Sequence, residues 1–360
     1  MNTTNVTQCQ PEGIHFALPV ILGIVSVGGL VFNSISLWIF WFAIKRWNSG
    51  IMLQFNLALV DIIVLPVMPL MVAYFSLGNH WPFGQFVCQL QVFLLSTHLY
   101  GSIYFLMLIS IHRYQAIVHY NAKTLWRKKS ALKKLVLVFW AFLFLQGLPL
   151  FFFLKTSVIG NSVKCLSIYQ SELTYLYLAY GIFLGIFCFL IPFAISLVSY
   201  VMLGAYIAKI SQANLRGQVM KTKSKQMITI ALVIFATCFT PLHICGSMAS
   251  IVRYYGVSCK VLYHIEVTYY ISLVFSMVNC CLDPFIYNFA NEKFHRLFFA
   301  KCKKEVPQNR SKNLWRATAS GDKMHRGNRS DLQGYIAATS VVCYLGAGCT
   351  ASSAAFSSGL

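Results

Sequence analysis

Six stretches of this 360-residue chain, 13–44, 62–112, 135–154, 173–208, 226–252 and 267–282, contain no Asp, Glu, Lys or Arg. Lipid permits few solutions for such a chain. A helix needs about 20 mostly apolar residues to cross the hydrocarbon layer, and in lipid only helices or closed barrels satisfy every backbone polar group internally. All but the last, which is 16 residues long and needs its flanks, are long enough to be read as spanning helices. The second, 51 residues long, exceeds one span, and GNHWPFG at residues 78–84 is the turn-rich, aromatic break that divides it. With the apolar run before Asp61 added, spans are expected near 16–44, 50–76, 85–118, 131–153, 174–208, 223–254 and 263–288. The fold class is therefore all-α: a membrane-embedded seven-transmembrane helix bundle. A composition of 58% hydrophobic and only 11% charged residues excludes an ordinary soluble domain.

Basic residues set the orientation, because short loops rich in Lys and Arg stay in the cytoplasm. The first, third and fifth connections carry thirteen Lys and Arg and no acid, from Lys45 and Arg46 through Lys123–Lys134 to Lys209–Lys225. The opposite connections, with residues 1–15, hold Lys155, Lys164, Arg253 and Lys260 against Glu12, Glu172 and Glu266. The N-terminus is thus expected outside and the tail inside. The net charge of +20 then faces the inner leaflet and cytoplasmic partners, with no nucleic acid among the expected partners. The first apolar run is too long for the core of a signal peptide.

This topology sorts the polar residues. Cys9, Cys88, Cys165 and Cys259 all fall on the oxidising face, where four cysteines allow three pairings. Asn2 and Asn5 head glycosylation sequons on the same face. Cys302, in KCKK, is a palmitoylation candidate, with a plain reduced thiol as the competing reading. Within the spans the acids counted are Asp61 and Asp283, accompanied by Asn33, Asn56, Ser102, Asn279 and Arg113. Polar groups at that depth are costly unless partnered. Taken singly, each asparagine reads equally well as an interhelical hydrogen bond; the two aspartates point to a shared ion- or proton-binding core. Prolines 66, 69, 149, 192, 241 and 284 lie within or near the spans and permit kinks.

These residues together resemble the class A, rhodopsin-like G-protein-coupled receptors. Asn33 in GLVFNSISLW, Asp61 in NLALVD, Arg113 in HRY, Trp140, Pro192 and Tyr200, CFTP at 238–241 and DPFIY at 283–287 carry the likeness in order, from about residue 9 to 302. HWPFGQFVC, LYGSI, FLIPF and NCCLDPFIY are closest to the purinergic branch and its lipid- and carboxylate-receptor relatives. The resemblance implies disulfides Cys88–Cys165 and Cys9–Cys259. It also implies an extracellular small-molecule or lipid ligand and a heterotrimeric G protein at a cavity opened by the sixth helix. Arrestins and receptor kinases are further implied partners, at a multi-pass plasma-membrane protein. His112, Arg113, Tyr114, Tyr200, Asp283, Pro284 and Tyr287 would form the activation switch, and Asp61, His98, Ser102, Asn279 and Asp283 the polar core with its sodium ion. A helix-terminal cation satisfying the dipole is the bland reading of Arg113.

Two departures are specific to this chain. The family usually places an acid before Arg113; His112 cannot supply that restraint, and Lys221, Lys223 and Lys225 repel the arginine from the sixth helix. Raised basal signalling is the expectation, against other contacts restoring the resting state; a modulatory receptor that does not couple is the competing class. His98 stands where the related branch commonly has asparagine. An imidazole between two carboxylates could replace the cation, against a neutral histidine hydrogen-bonded in the bundle.

For the ligand, Tyr100, His243, Tyr269 and Tyr270 are the expected walls, with Arg253, Lys155 and Lys164 nearer the rim. Nucleotide receptors of the branch anchor phosphate with a cation three residues after the sixth-helix histidine and another at the top of the seventh helix. Gly246 and Leu273 stand in those regions here. The expected ligand is an anionic, lipid-like mediator, with a nucleotide as the alternative. No HExxH or GxSxG occurs and no internal repeat is visible, so the chain reads as neither an enzyme nor a transporter. No cofactor is expected besides the sodium ion. The organisation is then an extracellular segment 1–15, the receptor domain 16–288, a short amphipathic membrane-surface helix 289–304 and a disordered cytoplasmic tail 305–360 with phosphorylation sites.

Overall fold

The computed structural model describes residues 17–118, 129–159, 162–165, 174–209, 215–255, 259–290 and 294. At 159, 174, 177, 215–221, 253–255, 259, 262 and 287–290 it describes the backbone alone. The expected segments 1–15 and 305–360 and most of 289–304 lie outside the described residues. The elements below belong to one compact unit, Met1–Phe298.

Seven helices are long and apolar enough to span a membrane: α1 Ala17–Ala43, α2 Ser49–Ser76, α3 Gly84–Val118, α4 Lys129–Phe153, α5 Leu178–Lys209, α6 Thr222–Val252 and α7 Tyr263–Ile286. Their bounds fall within two residues of those expected, except at the start of α5, whose helix itself runs from Thr174. The bundle is a seven-transmembrane one, as expected. Helix α3 forms its axis: its apolar window is 83% buried, against 33%, 28% and 22% for α1, α4 and α5. Outward faces such as Ile24, Trp41, Leu137, Phe152 and Val201 are large, apolar and exposed. Lipid rather than water solvates such a surface, so it costs nothing.

Helix ends and bends have local causes. Asn48 caps α2, its Oδ1 accepting from the Ile51 amide at 2.9 Å. The break between α2 and α3 passes through left-handed backbone at Gly78, Asn79 and Gly84, with φ of 66°, 62° and 80°, which a glycine or asparagine takes cheaply. A 3₁₀ turn, Leu65–Val67, surrounds Pro66, and π-helical turns precede Pro192 (Leu184–Leu190) and Pro241 (Phe235–Phe239). Proline lacks the amide that would bond one turn back, and wider turns absorb the deficit. Beside Pro241, the Phe235 carbonyl accepts from both the Thr240 amide and, at 2.8 Å, the Thr240 hydroxyl.

Interhelical polar contacts replace the hydrophobic effect inside lipid. Asn33 Nδ2 donates to the Cys280 carbonyl at 2.7 Å, joining α1 to α7, and Trp140 Nε1 donates to Asn56 Oδ1 at 2.8 Å, joining α4 to α2. Both fit the structural reading of those asparagines. Tyr104 donates to the Phe187 carbonyl at 2.9 Å, across α3 and the π turn of α5.

Between α4 and α5 an antiparallel hairpin, β1 Ser157–Ile159 and β2 Ser162–Lys164, pairs Ser157 with Lys164 and Ile159 with Ser162. It is fastened on three sides. Cys88 of α3 is bonded to Cys165, the Trp81 amide donates to the Val163 carbonyl at 2.8 Å, and Gln89 Nε2 donates to the Leu154 carbonyl at 2.8 Å.

Candidate functional site

Three groups of side chains lie along the bundle, one at the disulfide end, one at mid-depth and one at the Arg113 end.

At the disulfide end an aromatic wall forms around His243. Its ring stacks on Phe189 with centroids 4.0 Å apart and planes 12° apart, and meets the edge of Tyr100 at 5.8 Å. His243 Nδ1 lies 2.9 Å from the Phe239 carbonyl. Only an N–H can make that bond, which leaves buried Nε2, without a partner among the described residues, as an acceptor. One turn on, a side chain at Gly246 would meet Tyr269 at 3.8 Å, so the sixth-helix position lacking a cation faces α7.

Tyr270 departs from the expectation. It is fully buried, but packs edge-on to Phe75 of α2 with centroids 5.2 Å apart instead of joining the His243 wall. Its hydroxyl donates to Glu266 Oε1 at 3.2 Å and lies 3.5 Å from the hydroxyl of Tyr74. Glu266 is thus a third acid within the spans, 2% exposed. The sequence count of two misses it by placing the residue in a connection, although the expected seventh span, 263–288, encloses it. Spacing carries the signal: Glu266 and Tyr270 are four apart, one above the other on a helix.

The rim residues divide. Lys155 is exposed, and the side chain of Arg253 lies outside the described residues. Lys164 is not at the rim: it is 4% exposed and faces Glu266. Burial lowers its ammonium below the usual lysine range, and the Glu266 carboxylate opposes that shift.

At mid-depth, Asp61, His98, Ser102, Asn279 and Asp283 are all fully buried. Asn279 Nδ2 donates to Asp283 Oδ2 at 3.0 Å, and His98 Nδ1 lies 3.5 Å from Asp61 Oδ1. Ser102 and Asp283 both face Asp61. Both oxygens of Asp61, Ser102 Oγ, Asn279 Oδ1 and Asp283 Oδ1 make no hydrogen bond of ordinary geometry among the described residues. Hard oxygen donors clustered in this way fit a small monovalent cation, and His98 is placed to compete for one of them.

At the other end, Arg113 of α3 faces the buried Tyr200 of α5. His112 packs onto the start of α2: a side chain at Gly50 would meet its Cε1 at 3.1 Å. Tyr114 continues α3 and Pro284 lies buried inside the helix of α7. The side chain of Tyr287 lies outside the described residues, as do Cys9, the side chain of Cys259, Asn2, Asn5 and Cys302. Of the two implied disulfides, Cys88–Cys165 is present, with Cα atoms 5.9 Å apart.

Seven spanning helices, a loop tethered to the third, and an arginine–tyrosine pair at the far end define a heptahelical membrane receptor. Residues 32–287 match the 7 transmembrane receptor (rhodopsin family), and the chain belongs to that family. It falls in the purinergic branch. It is 33% identical over 318 residues to the Y-type purinoceptor 2 of Rattus norvegicus, covering 88% of this chain and 83% of that one. The Y-type purinoceptor 4 of Mus musculus is 30% identical over 298 residues, 82% and 81% of the two chains. The Y-type purinoceptor 1 of Gallus gallus is 30% identical over 302 residues, 82% of each. As a receptor of this family, a class distinct from enzymes, the chain has an extracellular ligand and a G protein as partners.

Proposed function

We propose that this receptor takes a small amphipathic ligand with an anionic head, a lipid-like mediator, and transmits its binding to a heterotrimeric G protein at the Arg113 end. The disulfide end faces outside in this reading and the lysine-rich connections face the cytoplasm. The supporting observation is the chemistry of the disulfide end. Its walls are Tyr100, Phe189, His243 and Tyr269, and the one buried lysine among the described residues, Lys164, already faces a carboxylate. A polyphosphate needs several cations, or guanidinium forks, to offset its desolvation. An acyl or aryl body with a single anionic group needs one cation and an apolar wall.

A second reading, a purine nucleotide, is favoured by one observation: the relatives are named purinoceptors and share about a third of their residues with this chain. G-protein dissociation in cells separates the two. The receptor is exposed to single-chain phospholipids, fatty carboxylates and nucleoside di- and triphosphates. A response to an anionic lipid at concentrations where nucleotides are silent supports the first reading; the reverse order rejects it.

In the same reading Asp61, Ser102, Asn279 and Asp283 would hold a sodium ion, which neutralises their charge and favours the resting packing. Arg113 engages Tyr200 and Tyr287 when α6 moves, and Cys9–Cys259 closes a second outer tether. Residues 289–304 lie on the inner leaflet, anchored at Cys302, and 305–360 form the tail presented to receptor kinases and arrestins. Asn2 and Asn5 carry glycans outside.

A further inference from the structure

Two consecutive residues grip one residue of the hairpin. The Trp81 amide donates to the Val163 carbonyl at 2.8 Å, and the Val163 amide donates to His80 Nδ1 at 3.3 Å. Val163 pairs with Val158, between the pairs Ser157–Lys164 and Ile159–Ser162. Antiparallel pairs alternate between bonded and non-bonded, and Val163 turns both its peptide groups away from β1. His80 and Trp81 therefore stand where a third strand would, and supply the partners that the edge of β2 requires.

The neighbours of His80 hold it in place. The Asn79 amide donates to the Tyr74 carbonyl at 3.0 Å, with Asn79 in left-handed backbone at φ 62°. On the other side Trp81 is buried, its Nε1 donating to the Gly84 carbonyl at 2.8 Å and its ring lying 5.9 Å from Tyr74 and 4.9 Å from Phe83. The imidazole between these anchors is half-buried, so a proton reaches it without opening the bundle.

The direction of the bond fixes its response to acid. A backbone N–H can only donate, so Nδ1 accepts through its lone pair and the ring hydrogen sits on Nε2. An added proton takes that lone pair and leaves two N–H groups facing each other, and the bond breaks. The fastened state thus binds one proton fewer than the released state, and lower pH favours release. Histidine is the side chain that changes charge between about pH 5 and 8. The charged and titratable side chains on the surrounding elements are Lys155 and Lys164 before and within the hairpin, Tyr74 of α2 and Glu266 of α7; α3 brings none from Gly84 to Thr97 besides the bonded Cys88. Tyr169 and Glu172, beyond β2, lie outside the described residues. Lys164 and Glu266, both almost wholly buried, are the groups whose titration a test must separate from that of His80.

We infer that His80 is an extracellular proton switch on the hairpin. At neutral pH Val163 is fastened by two bonds; in acid it keeps only the one from Trp81, and β2 loosens beside its disulfide. Outside acid then weakens the hold on any ligand that the hairpin helps to retain. The inference rests on the reading that the disulfide end faces outside only for the source of the proton; it holds for a lipid or a nucleotide alike.

The test uses full-length receptor in a non-ionic detergent and follows amide hydrogen exchange of segment 157–165 by mass spectrometry at pH 7.5 and 5.0, corrected for the intrinsic effect of pH. Protection of the segment in the wild type is expected to fall about fivefold in acid, the factor that loss of one hydrogen bond supplies, while α3 is unchanged. His80→Asn offers an uncharged acceptor at both pH values and should keep the protection in acid; His80→Phe offers none and should show the low value throughout. Protection in the wild type that does not change with pH overturns the switch. A fall shared by α3, or one that persists in His80→Asn, assigns the titration to other groups and also overturns it. The wild-type comparison is decisive even if a variant fails to fold. Orientation is read separately: Val158 is 76% exposed, and Val158→Cys in intact cells should react with a membrane-impermeant maleimide above the wild-type background. Absence of that labelling overturns the outside position of this end and of the proton, while exchange still decides whether His80 switches the hairpin.

Discussion

Gly29 has no room for a side chain: a Cβ built there would lie 2.6 Å from Cys280 Sγ. The contact sits beside the bond from Asn33 to the Cys280 carbonyl, so α1 and α7 touch where a small residue allows their backbones to approach. Gly29→Ala is expected to lower stability by about 1–3 kcal/mol through overpacking, read as a fall in melting temperature of the detergent-solubilised receptor. Adding Cys280→Ala removes the obstructing sulfur and should recover most of the loss; a double variant no better than the single one rejects this account. His98 is the other residue whose role a single change decides. With Nδ1 3.5 Å from Asp61 Oδ1, a protonated imidazole occupies the place of a cation. His98→Asn should then strengthen the sodium dependence of agonist binding. Unchanged dependence would assign the histidine to neutral packing.

At the scale of elements, the departure of α6 from α-helical turns concentrates on a few atoms. Pro241 has no amide to donate, the turn Phe235–Phe239 is π-helical, and the Thr240 hydroxyl occupies the Phe235 carbonyl. Thr240→Val preserves shape and deletes that bond, at a cost of about 1 kcal/mol, whereas Thr240→Ser should retain wild-type stability in the same thermal assay. Equal melting of the Val and Ser variants would show the hydroxyl to be dispensable. The spans themselves were legible in the sequence because lipid imposes one rule, length of apolar helix, on every element. The prolines were legible too, but not the π turns that answer Pro192 and Pro241, since these depend on which carbonyls find new donors. Asp61 and Asp283 could be grouped beforehand because intramembrane acids are few, whereas Ser102 and Asn279 joined them through the resemblance to the receptor family. Tyr270 and Lys164 were misplaced for a different reason. Both sit where a connection folds back onto the helices, and the hairpin that turns Lys164 inward is set by a disulfide and loop hydrogen bonds that hydropathy does not record. Glu266 was hidden by its position at a boundary, where a difference of a few residues decides between loop and interior.

For the whole molecule, the question is how firmly the resting bundle is held. In the family an acid before Arg113 usually supplies part of that restraint; here His112 packs on Gly50 at the start of α2. The basic run Lys221, Lys223 and Lys225 adds like charge near the inner end of α6. Each feature weakens an arrangement that would otherwise disfavour outward movement of α6, and a two-state equilibrium responds to any such difference in proportion. Basal guanine-nucleotide exchange above that of vector-transfected cells is therefore expected at matched surface expression. Restoring the acid with His112→Asp places a carboxylate beside the guanidinium. A charge-assisted contact of about 1.5–3 kcal/mol would lower the active fraction roughly tenfold or more. Arg113→Ala should silence exchange for the opposite reason, by removing the group proposed to meet the G protein. A vector-level baseline in the wild type would show that other contacts hold the resting state. A high baseline that His112→Asp leaves unchanged would place the missing restraint elsewhere than at residue 112.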